Sequence, residues 1–118
     1  MPANHRDIAL DALMHPFAEG ALRWSADALF LRAREGAALH ARGGLSALAC
    51  TQPFKPEADR LQRIGATLVD EDAVPAARYP LVLVLPPRQR EEARALLAKA
   101  CMAVAPGGIV VASVANDE

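Results

Sequence analysis

The apolar positions of this chain follow two periods, and the change between them marks its elements. Leu81-Val82-Leu83-Val84-Leu85 is an uninterrupted apolar run bounded by Pro80 and by Pro86-Pro87. A strand covered by helices on both faces has this pattern, since neither face can carry charge. From Arg88 the period becomes helical. Ala93, Leu96, Leu97, Ala100, Cys101 and Val104 recur at i, i+3, i+4, i+7, i+8 and i+11, one stripe of a helix. Pro106-Gly107-Gly108 is expected to stop that helix, and Ile109-Val110-Val111-Ala112-Ser113-Val114 to form a second buried strand. Two such strands joined by a helix make a parallel pair with a right-handed crossover.

The amino-terminal half reads the same way. Asn4, with Asp7 three residues on, marks a helix start. Leu10, Leu13, Met14 and Phe17 supply its apolar stripe, and Pro16 makes His15 the expected end. Residues 20–25 read as a connection, and Ala28-Leu29-Phe30-Leu31 as the first strand, closed by Arg32. A short helix over residues 35–41 ends at Gly43-Gly44, and Leu45-Ser46-Ala47-Leu48-Ala49-Cys50 reads as the second strand. Pro56 suits a first helical turn, Ala58, Leu61 and Gln62 follow, and Gly65 caps the end. Ala66-Thr67-Leu68-Val69 is a brief third strand, and Asp70-Glu71-Asp72 with Pro75 a solvated loop. Strand and helix alternating in this order specify an α/β domain: a Rossmann-like three-layer sandwich of about five strands, mostly parallel. Such sheets bind ligands beyond the carboxyl ends of their strands, so the residues after Leu85 and after Val114 carry the functional question.

Composition narrows the classes. A length of 118 residues allows one domain, and 53% apolar with 23% charged residues makes it globular. With 4% aromatics and abundant alanine, close helix–sheet packing is expected rather than stacking platforms. A net charge of −1 argues against gripping nucleic acid by charge alone. Cys50 and Cys101 both sit in apolar segments and form no disulfide framework, which predicts a reduced, cytoplasmic setting. His5, Arg6 and Asp7 interrupt any signal-peptide pattern, and no apolar run approaches the roughly 20 residues that span a membrane. A soluble chain with no membrane partner is expected.

Chemistry-bearing residues are sparse. His5, His15 and His40 are widely spaced, so no metal site is expected. Cys50 lies near a strand's carboxyl end but has no base nearby in sequence, and reads as a packed core thiol. Ser46 and Ser113 lack a Gly-x-Ser-x-Gly context. Trp24, beside Arg23, reads as an anchor for its connection, with stacking on a base as the alternative. A flavodoxin-like receiver would need a carboxylate after strand one and a lysine after strand five. Arg32 and Ala115 stand near those places.

The apolar strand ending in Pro86-Pro87, the alanine- and leucine-rich helix, Pro106-Gly107-Gly108 and the last apolar strand together resemble the Rossmann-like class I methyltransferases. More closely, the chain resembles the amino-terminal domain of the two-domain ribosomal RNA guanine-N2 methyltransferases of the small-subunit type. Residues 83–92 and 105–117 carry that resemblance, and the remainder matches in pattern only. In that family the first domain is degenerate and the second active, so the resemblance implies a longer enzyme using S-adenosylmethionine. Its carboxyl-terminal catalytic domain and ribosomal RNA would be partners of this chain.

The departures imply that this domain itself holds no catalytic, cofactor-binding or metal site. The turn after strand one, Arg32-Ala33-Arg34-Glu35-Gly36, has one glycine and two bulky cations where the cofactor needs a close backbone approach. Strand two ends in Cys50-Thr51 rather than an acid for the ribose hydroxyls. Strand four ends in Leu85, which accepts no hydrogen bond from a target amine. Lys55, Arg88, Arg90 and Arg94 are candidates for contact with RNA phosphate, as are Arg60 and Arg63. The simpler alternative is a solvated helix face in which Glu91 pairs with Arg94 at i, i+3. Residues 109–114, apolar and without lysine or proline, would make an unguarded edge able to self-associate. A rival reading is therefore a stand-alone Rossmann-like module that dimerises through Ile109-Val110-Val111-Ala112-Ser113-Val114 without enzymatic activity.

Overall fold

A computed structural model of the chain describes residues 7–114. Its nine principal elements run α1 (Ile8–Ala18), β1 (Ala28–Leu31), α2 (Ala37–Arg42), β2 (Ala49–Cys50), α3 (Lys55–Arg63), β3 (Thr67–Leu68), β4 (Tyr79–Val84), α4 (Arg90–Ala103) and β5 (Val104–Ala112). The five strands form one sheet in the order β3-β2-β1-β4-β5, and every neighbouring pair is parallel. The Rossmann-like α/β expectation is met.

The sheet separates two apolar layers. On one face Ala28, Phe30, Cys50, Leu81 and Leu83 meet Leu10, Leu13 and Phe17 of α1, Leu39 of α2 and Leu61 of α3. On the other, Leu29, Leu31, Val82 and Val84 meet Leu96, Ala100 and Ala103 of α4. All four residues of β1 are buried, as are Leu81, Val82, Leu83 and Val84 of β4, because these two strands are central. Their unbroken apolar runs have that cause.

Several boundaries move. Helix α1 does not end at His15. It passes through Pro16 to Ala18, because Phe17 completes the buried stripe and the proline forfeits only one amide bond. Its cap is Asp7, whose carboxylate accepts the Leu10 N–H at 3.1 Å. The start expected at Asn4 lies outside the described residues. The second strand shrinks from six residues to Ala49–Cys50, since Gly44 at φ 66° opens a 3-10 turn over Leu45–Ala47. Helix α2 is displaced to Ala37–Arg42, and β3 is trimmed to Thr67–Leu68. Gly65 closes α3 as expected, at φ 98°. Helix α4 begins at Arg90, two residues later than expected, because the Gln89 side chain caps it by accepting the Glu92 N–H at 2.6 Å. On α4 the stripe turns slightly: Ala103 is buried, whereas Cys101 is exposed.

The largest correction concerns Pro106-Gly107-Gly108. These residues do not stop a helix; they bulge within β5, which begins at Val104. Tyr79 pairs with Val104 and Leu81 with Ile109, so the register slips across the bulge. Gly108 is required by contact, since a Cβ there would lie 2.7 Å from the Pro80 carbonyl oxygen. Nor is residues 109–114 a buried strand. The strand ends at Ala112, lies at the sheet's edge, and leaves Ile109 44% exposed.

Candidate functional site

The carboxyl ends of β1, β2 and β3 converge on the turn formed by residues 32–36. Arg32 follows β1 directly and adopts φ 58°, a left-handed conformation uncommon for a residue with a side chain. Its own bonds hold it there. The Arg32 backbone N–H donates to Thr51 Oγ1 at 3.0 Å. Its guanidinium donates from Nε to Glu71 Oε1 at 2.9 Å and from Nη2 to Glu71 Oε2 at 3.1 Å. Two parallel charge-assisted bonds of this kind fix both partners in orientation as well as distance. The buried Thr51 hydroxyl donates to Glu71 Oε1 at 3.2 Å. From α4, Lys99 Nζ donates to the Glu71 carbonyl oxygen at 3.1 Å. One residue thereby ties β1, β2 and α4 to the segment after β3.

Charge follows from this geometry. The hydrogen bonds from Arg32 hold the Glu71 carboxyl below the usual carboxylate range, against the opposing effect of its partial burial. The same pair raises the Arg32 guanidinium above its ordinary value. The Asp70-Glu71-Asp72 segment is thus not simply a solvated loop. Its central side chain is turned inward and is only 22% exposed.

The rest of the turn is fastened by two further carboxylates. Arg34 donates to Asp7 from Nε at 2.6 Å and from Nη2 at 2.9 Å, so the cap of α1 also anchors this turn. The Glu35 backbone N–H donates to Glu57 Oε2 at 2.8 Å, and Glu57 in turn accepts from Arg60. Gln52 Nε2 donates to the Ala33 carbonyl oxygen at 2.8 Å. At the end of β4, Leu85 is 2% exposed and its N–H donates to the Leu31 carbonyl oxygen at 3.3 Å. Pro86 is buried beside it. A cavity of about 270 Å3 lies next to this cluster, lined by Arg32, Gln52, Pro53, Val69 and the three acidic residues 70–72.

The residues singled out from sequence are dispersed. Arg88, Arg90 and Arg94 lie together, exposed, at the start of α4. Lys55 opens α3 in the opposite helical layer and pairs with Asp59 at 2.9 Å. Arg60 is bound to Glu57, while no ion pair joins Glu91 to Arg94. Trp24 is the anchor expected: its ring meets Phe17 edge-on at 5.3 Å, and Arg42 stacks over it. Cys50 is a buried core thiol, its pKa pushed up to about 12 by burial, which favours the protonated form near neutral pH. His15 and His40 pair with Glu19 and Glu35, and no metal-ligand group of three occurs among the described residues. The sequence reading missed Glu71, whose partner Arg32 is 39 residues away. The chain matches no protein-family model and no curated protein sequence.

Proposed function

We propose that this chain is the non-catalytic amino-terminal domain of an S-adenosylmethionine-dependent ribosomal RNA guanine-N2 methyltransferase. Its work would be to support the active carboxyl-terminal domain and to help place the RNA, in the cytoplasm. One observation carries the reading: the turn after β1 is closed by the chain's own carboxylates. An active domain of this fold leaves that turn's backbone bare for its cofactor.

S-adenosylmethionine does not fit the residues present. Arg32 and Arg34 fill the turn and are engaged by Glu71 and Asp7. At the end of β2 the Thr51 hydroxyl is already used by Arg32 and Glu71, and Glu71, a carboxylate close by, is held in the same cluster. Leu85 offers a target amine no acceptor. No step of methyl transfer is assigned to these side chains; the cofactor would belong to the second domain. The exposed Arg88, Arg90 and Arg94 keep their candidacy for RNA phosphate, with Lys55 separate from them.

The place of β5 at the edge of the sheet among the described residues favours a second reading, a free-standing interaction module. The coding sequence after Glu118 separates the two. A glycine-rich strand–turn–helix followed by Asn-Pro-Pro and an aromatic residue is the expected result. A stop codon directly after Glu118 overturns the methyltransferase reading.

A further inference from the structure

We propose that a single strand of RNA seats at the amino end of the sheet on the α1–α3 side, its phosphates on Arg23, Arg42 and Arg63 and one base in the cavity between α1 and α2. This rests on the reading of the chain as an RNA-placing domain and names the surface that does the placing. Helices α2 and α3 each link two parallel strands, so both run from the carboxyl end of the sheet to its amino end. Helix α1 runs the same way, because Asp7 at its start is bound to Arg34 in the turn after β1. Arg42 is the last residue of α2, Arg63 the last of α3, and Arg23 lies in the connection from α1 to β1. All three are exposed, at one end of one helical layer.

Positive charge at this end is uncompensated. Among the described residues no carboxylate pairs with Arg23, Arg42 or Arg63, whereas Arg32, Arg34, Arg60 and Arg78 are each bound to an acid. The acids nearby are engaged elsewhere, Glu19 with His15 and Asp27 with Arg78. A helix carboxyl end carries about half a negative charge, so one guanidinium outweighs it. The chain's net charge of −1 therefore conceals a local positive strip. Arg42 is also held in place, its guanidinium stacked 5.3 Å over the Trp24 ring. Stacking uses the face of the guanidinium and leaves its in-plane N–H donors for a phosphate. Beside it opens a cavity of about 680 Å3, with Met14 and Phe17 on the α1 side and Ala38, Ala41 and Arg42 along α2. Pockets of roughly 300–1,000 Å3 take small ligands, so a base has room here. Its flat ring would cover the apolar wall while its phosphate stays in water on Arg42. Asp11, in the first turn of α1, lines the cavity's other end, which sets the phosphate at the Arg42 end.

Fluorescence anisotropy of a labelled single-stranded RNA of about ten nucleotides tests this on the 118-residue chain. The triple variant Arg23→Ala, Arg42→Ala, Arg63→Ala should bind at least tenfold more weakly. Its salt slope should fall by about two, at roughly 0.7 per phosphate contact on a single strand. Ala41→Leu, at an exposed position of α2, fills the cavity without removing charge or helix propensity, and should weaken binding at least threefold. A third variant, Arg88→Ala, Arg90→Ala, Arg94→Ala, separates this inference from the reading beneath it. A loss confined to that third variant overturns the inference and leaves the RNA-placing reading standing. Binding by the folded triple variant or by Ala41→Leu as tight as the parent's overturns it too. A parent chain that does not bind the RNA overturns both the inference and the RNA-placing role. If the triple variant loses its native circular dichroism, Arg23→Ala with Arg63→Ala decides, with at least a fivefold loss expected.

Discussion

Glu71 does with one carboxylate what a ligand often does at the end of a parallel sheet: it gathers donors from several strands. Its two oxygens take both guanidinium bonds of Arg32 and the Thr51 hydroxyl. Glu71→Gln loses the charge and one strong acceptor in a partly buried setting, which should cost about 1.5–3 kcal/mol near neutral pH. The loss is pH-dependent, with a definite sign. The folded chain holds Glu71 below its ordinary value, so between the two values the unfolded chain binds more protons and stability rises with pH. The contribution is complete above the ordinary glutamate value of about 4.3 and disappears as pH falls through the folded value. Urea midpoints at pH 7 and pH 3 should therefore show the parent-to-variant gap shrinking in acid. A gap of constant size would mean that Glu71 does not act through its charge. Sequence could place Arg32 at a strand end, but its acidic partner is fixed by tertiary pairing, and local periodicity carries no such information.

Elements were legible in proportion to how completely they are buried. Strand β4 and helix α4 follow their apolar periods closely, because both faces of β4 and one face of α4 meet the core. The misread elements are those where backbone geometry overrode pattern. Helix α1 continues past Pro16 to bury Phe17, and the Pro-Gly-Gly segment serves as a bulge rather than a stop. Glycine and proline announce a break in regular hydrogen bonding, without saying whether the element ends or only kinks. The core reading carries its own measurement. Leu83 is fully buried against the α1–α3 layer, so Leu83→Ala should cost about 2–5 kcal/mol through lost burial and the cavity left behind. For a domain of this size that is a large share of the total stability. An unchanged denaturation midpoint would contradict the central placement of β4.

For the whole molecule, the sheet order and the closed strand ends point in different directions, and that tension has a measurable outcome. The order β3-β2-β1-β4-β5 reverses direction between β1 and β4, and at that crossing point α/β sheets usually admit a ligand. Here Arg32 and Ala33 stand on one side of the crossing, and buried Leu85 and Pro86 on the other. Opening it for S-adenosylmethionine would mean breaking the bidentate Arg32–Glu71 and Arg34–Asp7 pairs and leaving their charges partly desolvated. Removing one partner from a buried pair commonly costs several kcal/mol, and partial exposure reduces that figure here without erasing it. A ligand bound at 10 μM gains only about 7 kcal/mol in all, so this reorganisation would consume much of its affinity. Isothermal titration of the 118-residue chain with S-adenosylmethionine should accordingly give no saturable heat. A dissociation constant near 10 μM would show that the turn opens at little cost, and the non-catalytic reading would then fail at its supporting observation. The double variant Arg32→Ala, Glu71→Ala sharpens the comparison, since it removes the plug without stranding either charge. It should remain unable to bind, because the Arg34–Asp7 pair still fills the turn and no acid follows Cys50 for the ribose hydroxyls.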